Sequence, residues 1–166
     1  MIAAIVAVDN NWGIGFNGSL LESIPADLKR FKKLTENKIV IMGRKTWDSL
    51  PRKPLLNRMN IVLSRNCEQI IQQNGPDTWT AFMNSVDIKN TSKSKDVFVI
   101  GGGEIYKELL PFCDTLYITK IYKEHENVDT YFPNIDNLTD WNLFEESEIN
   151  THKDFHYQYL VYKRII

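Results

Sequence analysis

The chain has 166 residues, 43% hydrophobic and 25% charged, which is enough for one domain with a real core and excludes a disordered or fibrous protein. Its formal net charge of −1, from 20 Lys plus Arg against 21 Asp plus Glu, supplies no broad field for nucleic acid or an anionic membrane. The opening apolar run IAAIVAV lacks a basic leader and is too short for a signal core or a membrane span. Cys67 and Cys113 form no C-x-x-C motif and have no histidine cluster beside them. Reduced thiols in a cytoplasmic protein without a metal are therefore expected.

Short, nearly continuous apolar runs at 2–8, 39–42, 60–64, 96–100 and 115–121 predict strands buried on both faces. Between them, 27–35, 43–50, 78–86 and 102–110 read as helices, and the alternation predicts an α/β fold in a single domain spanning 1–166. The cluster Lys29, Arg30, Lys32 and Lys33 reads as the solvated face of the first helix. KNTSKSK at 89–95 reads as a loop, and 141–149 with 155–165 as an antiparallel hairpin at the sheet edge.

Between the first strand and first helix lies GIGFNG, residues 13–18, a literal G-x-G-x-x-G. In a dinucleotide fingerprint the last glycine opens a helix. Here Gly18 is followed by SLLESI and then Pro25, which disfavours helix at Ile24 and suits the start of the next one. The fingerprint is rejected in favour of a mobile loop that closes over a ligand.

Two later junctions are better anion sites. IVIM runs into Gly43-Arg44-Lys45-Thr46, and VFVI into Gly101-Gly102-Gly103-Glu104, each leading from a strand end to a helix N-terminus that attracts phosphate. A third strand, NIVLS, ends at Ser64-Arg65 instead of an acid, which suits the extra phosphate of NADP.

With these blocks in order along its whole length (PADLKRFKKLT, IVIMGRKTW, NIVLSR, VIGGGEIY, LYIT, DTYFP) the chain resembles dihydrofolate reductase. The resemblance implies a mostly parallel eight-stranded sheet flanked by helices with a C-terminal antiparallel hairpin. It implies NADPH as cofactor and dihydrofolate as substrate, in a cytoplasmic monomer with no nucleic-acid or membrane partner. It makes Asp27 the ionisable group that faces the pteridine ring, hydrogen-bonded by Thr119, with Glu22 nearby. Ile5, Ala7, Leu28, Phe31, Leu50 and Ile100 would line the substrate pocket, and Arg58, with Arg52 as the competing candidate, would clamp the substrate's carboxylate tail. The cofactor would border Ala7, Ile14, Gly15, Gly43, Arg44, Lys45, Thr46, Leu63, Ser64, Arg65, Gly101, Gly102, Gly103, Glu104, Ile105 and Tyr106.

Two stretches depart from the family pattern. Leu21-Glu22 stands where Pro-Trp is usual; Glu22 lacks an indole donor, would raise the pKa of Asp27 if it faced it, and its loop would close more slowly. PRKPLLNR at 51–58 has Pro51 for a glycine, Leu56-Asn57 for Pro-Gly and one extra residue, from which reduced sensitivity to diaminopyrimidine inhibitors is expected. Two alternatives remain: a pyrimidine reductase of riboflavin synthesis, disfavoured by Asp27 with Arg58, and a folate- or NADPH-binding relative without turnover.

Overall fold

The computed structural model describes residues 1–166. Its first strand, β1 (Ile2–Val8), shows how the sequence builds two layers. Successive side chains of a strand point to opposite faces. Ile2, Ala4, Val6 and Val8 enter a large cluster on one face, and Ala3 and Ile5 a smaller one on the other. With both faces covered, only a continuous apolar run satisfies every position.

The chain continues through β2 (Gly13–Phe16), β3 (Ser19–Leu20), α1 (Pro25–Thr35), β4 (Ile39–Gly43), α2 (Arg44–Ser49) and β5 (Met59–Leu63). Then follow β6 (Ile70–Gly75), β7 (Thr78–Met83), α3 (Ile88–Thr91), β8 (Val97–Gly101) and α4 (Gly103–Leu109). The last elements are β9 (Thr115–Tyr122), β10 (Thr130–Tyr131), β11 (Trp141–Glu146), β12 (Asn150–His152) and β13 (Phe155–Arg164). The central sheet runs β11-β13-β9-β1-β8-β4-β5-β7-β6, with β12 paired to β13. The ladders among β9, β1, β8, β4, β5 and β7 are parallel. Antiparallel pairs close both ends, including the expected C-terminal hairpin.

The sheet has ten strands, not the eight implied by resemblance. Residues 78–86 are the larger correction, because the expected helix is strand β7. Its Thr78-Trp79-Thr80 start alternates buried, exposed, buried, and β-branched and aromatic residues fit a pleated surface. Gly75 pairs with Thr78 across a tight turn, and β7 lies parallel to β5 with Met59 opposite Trp79. Within the expected loop at 89–95, the short α3 is capped by the Asp87 carboxylate, which accepts from the Asn90 N–H at 3.1 Å.

A second, three-stranded sheet is built from β10, β2 and β3. The opening glycine motif is therefore a hairpin. Its tip, Asn17-Gly18, has φ of 52° and 79°, the paired positive values that a two-residue type I′ connection needs.

Phe98 on β8 is 1% exposed and packs in the smaller cluster with Val40, Met42 and Val62. Phe98→Ala is expected to lower unfolding free energy by about 3–5 kcal/mol through lost contacts and a residual cavity, read by urea denaturation.

Candidate active site

Pro25 occupies the first turn of α1, and the N-cap position is held by Ile24 with no side-chain hydrogen bond. Asp27 is thus not a cap. Its carboxylate is free to face the sheet, where the Thr119 hydroxyl on β9 donates to Oδ1 at 2.6 Å. Burial raises the Asp27 pKa; the Thr119 hydrogen bond and the charge of Arg30 pull the other way without cancelling it.

Around this carboxylate the structure gathers most of the expected pocket. Phe31, Leu50 and Ile100 pack against the same cluster that contains Ile5. Ala7 packs against the neighbouring group with Ile24 and Tyr157, while Leu28 is 49% exposed, on the open side of α1. Arg58 is only 6% exposed. Its Nε donates to the Leu56 carbonyl at 2.9 Å and its Nη1 to Thr35 Oγ1 at 3.1 Å, and the guanidinium carbon stands 5.9 Å from the centre of the Phe31 ring. Arg52 is exposed. Asn57, in the departing stretch, keeps a positive φ of 58°, a conformation that asparagine tolerates better than most residues.

The parallel order β8-β4-β5 sets Gly101 opposite Met42 and Gly43 opposite Leu63, so all three strands end together at their carboxyl ends, where open α/β sheets bind ligands. Gly43 and Gly102 are the N-cap residues of α2 and α4, and the Gly101-Gly102 peptide is cis. A Cβ at Gly43 would lie 3.0 Å from Ile105 Cγ1, and one at Gly102 would lie 3.4 Å from Thr46 Oγ1. The two junctions therefore abut, and side chains there would fill the gap between them. Arg44, Lys45, Glu104 and Arg65 are exposed along this edge, with Thr46, Leu63 and Ser64 half-buried. The donor set suits the phosphates of a dinucleotide and the closely approaching backbone leaves room for it. Tyr106 is buried and its hydroxyl donates to the Ile5 carbonyl at 2.7 Å, tying α4 to β1. Burial pushes its phenol far above the ordinary range, so it stays neutral. Ile14 is buried in the large cluster beside it.

The stretch before α1 is engaged differently from the expectation that Glu22 might face Asp27. Glu22 Oε1 accepts from Lys123 Nζ at 3.0 Å and lies 2.9 Å from His125 Nε2, whose Nδ1 lies 3.1 Å from Asp9 Oδ2. Asp9 is fully buried and also accepts from the N–H groups of Asn11 and Gly13 at 2.9 and 2.8 Å. A Cβ at Gly13 would stand 2.9 Å from the Asp9 carboxylate and 2.8 Å from Val128, which explains the first glycine of the motif. At the hairpin tip the Asn17 N–H donates to Asp129 at 2.9 Å, and the Asp129 N–H donates to the Gly15 carbonyl at 3.1 Å. The loop is stapled to the segment around β10 at several points.

Asp9, Lys123 and His125 carry this network and drew no notice in the sequence. They lie about a hundred positions from the residues they meet, and only a lone histidine beside acids hinted at them. Arg30 is also misplaced by sequence reasoning, since it leaves the solvated cluster to lie against two tyrosine rings.

A parallel sheet whose adjacent strand ends suit an anionic dinucleotide, next to a half-buried carboxylate, fits an oxidoreductase of the pyridine-nucleotide class. The sequence model described as "Dihydrofolate reductase" matches residues 1–164. The dihydrofolate reductase of Bacillus subtilis (strain 168) is 37% identical over 166 residues, covering 99% of this chain and 95% of the relative. That of Buchnera aphidicola subsp. Baizongia pistaciae is 38% identical, covering 99% and 98%, and that of Haemophilus influenzae 40% identical, covering 86% and 84%. The chain belongs to the dihydrofolate reductase family.

Burial pushes the Glu22 carboxyl up, but hydrogen bonds from His125 and Lys123 and their charges outweigh it and hold its pKa below the ordinary glutamate value. A depressed folded-state pKa contributes stability that is present above the unfolded value and lost as pH falls through the folded one. Glu22→Gln is therefore expected to lower the melting temperature at pH 7 and to flatten its decline between about pH 5 and pH 3, where glutamates titrate. Thermal scans across that range read both effects.

Proposed function

We propose that this chain reduces 7,8-dihydrofolate to 5,6,7,8-tetrahydrofolate with NADPH, and that Asp27 organises the reaction. The observation that carries the reading is the Thr119–Asp27 hydrogen bond of 2.6 Å set beside the paired glycine junctions. Thr119 occupies one lone pair of Oδ1 and leaves the rest of the carboxylate for two parallel N–H donors of the pteridine ring. Two such bonds fix the ring's orientation as well as its position. The negative charge of Asp27 favours protonation of the ring nitrogen N5, and the surrounding burial strengthens that field.

When bound, NADPH supplies the hydride that reaches C6. Arg44, Lys45 and Thr46 hold its phosphates at the first junction, Ser64 and Arg65 its additional phosphate, and Gly101, Gly102 and Gly103 the close backbone approach. Ala7, Ile14, Gly15, Gly43, Leu63, Glu104, Ile105 and Tyr106 complete that border. With a proton at N5 the balance closes as dihydrofolate, NADPH and H⁺ giving tetrahydrofolate and NADP⁺.

Ile5, Ala7, Leu28, Phe31, Leu50 and Ile100 exclude water from the ring and the benzoyl group. Arg58 takes the tail carboxylate: its held guanidinium still offers Nη2, and fork geometry suits a carboxylate. The pairing of Glu22 with Lys123 and His125 supports a part in fixing the loop, not a charge acting directly on Asp27. The same reading makes 1–166 one working domain, a cytoplasmic monomer acting on small molecules without a nucleic-acid partner. The model has no helix long and apolar enough to cross a membrane.

Loss of NADPH absorbance on adding dihydrofolate tests the reading. Asp27→Asn is expected to reduce kcat/KM by about 10²–10⁴-fold, the range for removing a group that governs proton transfer, and equal turnover by both proteins would refute it. In the same assay Arg58→Lys is expected to raise KM for dihydrofolate about 10–100-fold with kcat little changed, since a charged hydrogen bond of about 1.5–3 kcal/mol is lost from binding. Arg52→Lys should leave KM where it is.

A further inference from the structure

Arg30 follows Asp27 by three positions on α1, so the two side chains leave the helix as neighbours. Its guanidinium carbon lies 4.2 Å from the centre of the Tyr159 ring on β13 and 5.8 Å from that of Tyr117 on β9. Tyr159 is the register partner of Thr119, and Tyr117 precedes Thr119 by two on the same strand, so all three project from one face of the sheet. That is the face on which Thr119 bonds Asp27. Arg30 makes no ion pair within 4.0 Å and no hydrogen bond; two aromatic faces hold it, as a guanidinium allows.

We propose that Arg30 is the internal counter-ion of Asp27, a positioning residue that Tyr159 and Tyr117 dock behind the carboxylate to keep it an anion aimed at the pterin ring. This rests on the reading of Asp27 given above. The other titratable groups facing the pair are accounted for. Tyr159, from β13, is pushed up to about 12 by burial and by the charge of Asp27. Tyr117, from β9, is also raised, chiefly by burial. Tyr106, from α4, is raised further still, by burial first and then by the charges of Asp27 and Cys113. All three are neutral phenols at neutral pH, and Thr119 contributes only a hydroxyl dipole. The charge of Glu145 on β11 also acts on Arg30. Arg30 is the cation whose charge acts on Asp27, and its attraction opposes the upward push of burial on the carboxyl.

The test is the titration of the Asp27 carboxyl carbon by NMR in aspartate-labelled protein, assigned by its absence in Asp27→Asn. It is run beside the pH profile of kcat/KM in wild type, Arg30→Met and Arg30→Lys. The inference expects the Asp27 midpoint to shift upward in Arg30→Met and to return toward wild type in Arg30→Lys. Tyr159→Leu, which keeps the charge but removes its dock, should give a smaller upward shift and stands in should Arg30→Met fail to fold. A midpoint unchanged in folded Arg30→Met, or in Tyr159→Leu where only that variant folds, overturns the inference. If the carboxyl midpoint moves while the rate profile stays fixed, Arg30 is confirmed as the counter-ion and it is the role given to Asp27 that fails.

Discussion

The hydrogen bond from Thr119 to Asp27 joins the first helix to the middle of the sheet, and most of the site takes its position from that join. α1 has no side-chain cap, so nothing local decides which way its first turn faces. The hydroxyl on β9 decides it, and once Asp27 faces the sheet, Phe31 one turn later must pack over Ile5 and Leu50. The helix then ends at Thr35, whose hydroxyl donates back to the Phe31 carbonyl and accepts from Arg58. One helix thereby spaces the Asp27 carboxylate from the Arg58 guanidinium. The spacing is rigid because a helix, not a loop, sets it.

The edge formed by the glycine junctions depends on a different constraint, parallel strand order. Residues 43, 63 and 101 come together because β8, β4 and β5 are hydrogen-bonded neighbours running the same way. Tyr106 couples this edge to β1 through the Ile5 carbonyl. A shift in α4 is thus felt on β1.

The strands around this edge were legible because double burial leaves only apolar residues, and runs such as IVIM and VFVI have no other reading. β7 was not, since TWTAFM includes helix-permissive residues and its parallel partner, β5, is not its neighbour in sequence. The rejection of the glycine motif as a phosphate cradle was sound, resting on Pro25, but a loop was expected where Asn17-Gly18 forms a hairpin turn. Asp27 and Thr119 came from resemblance to known sequences, not from periodicity. The partners of Glu22 and the docking of Arg30 were illegible for a single reason. Each is fixed by a residue on β13 or on the segment following β9, and no local pattern reports which distant side chain the fold will deliver.

The bridge from Asp9 through His125 to Glu22 makes four positions, with Lys123, behave as a single heritable character. Replacing Glu22 by an apolar residue takes from Lys123 and His125 the carboxylate they share, whereas replacing His125 leaves the buried Asp9 carboxylate with backbone donors alone. Drift at any one of them is therefore penalised until the others follow. In a lineage of such chains, substitutions here should arrive together, and the loop would pass between a charged and an indole-bearing form by a jump instead of by single steps.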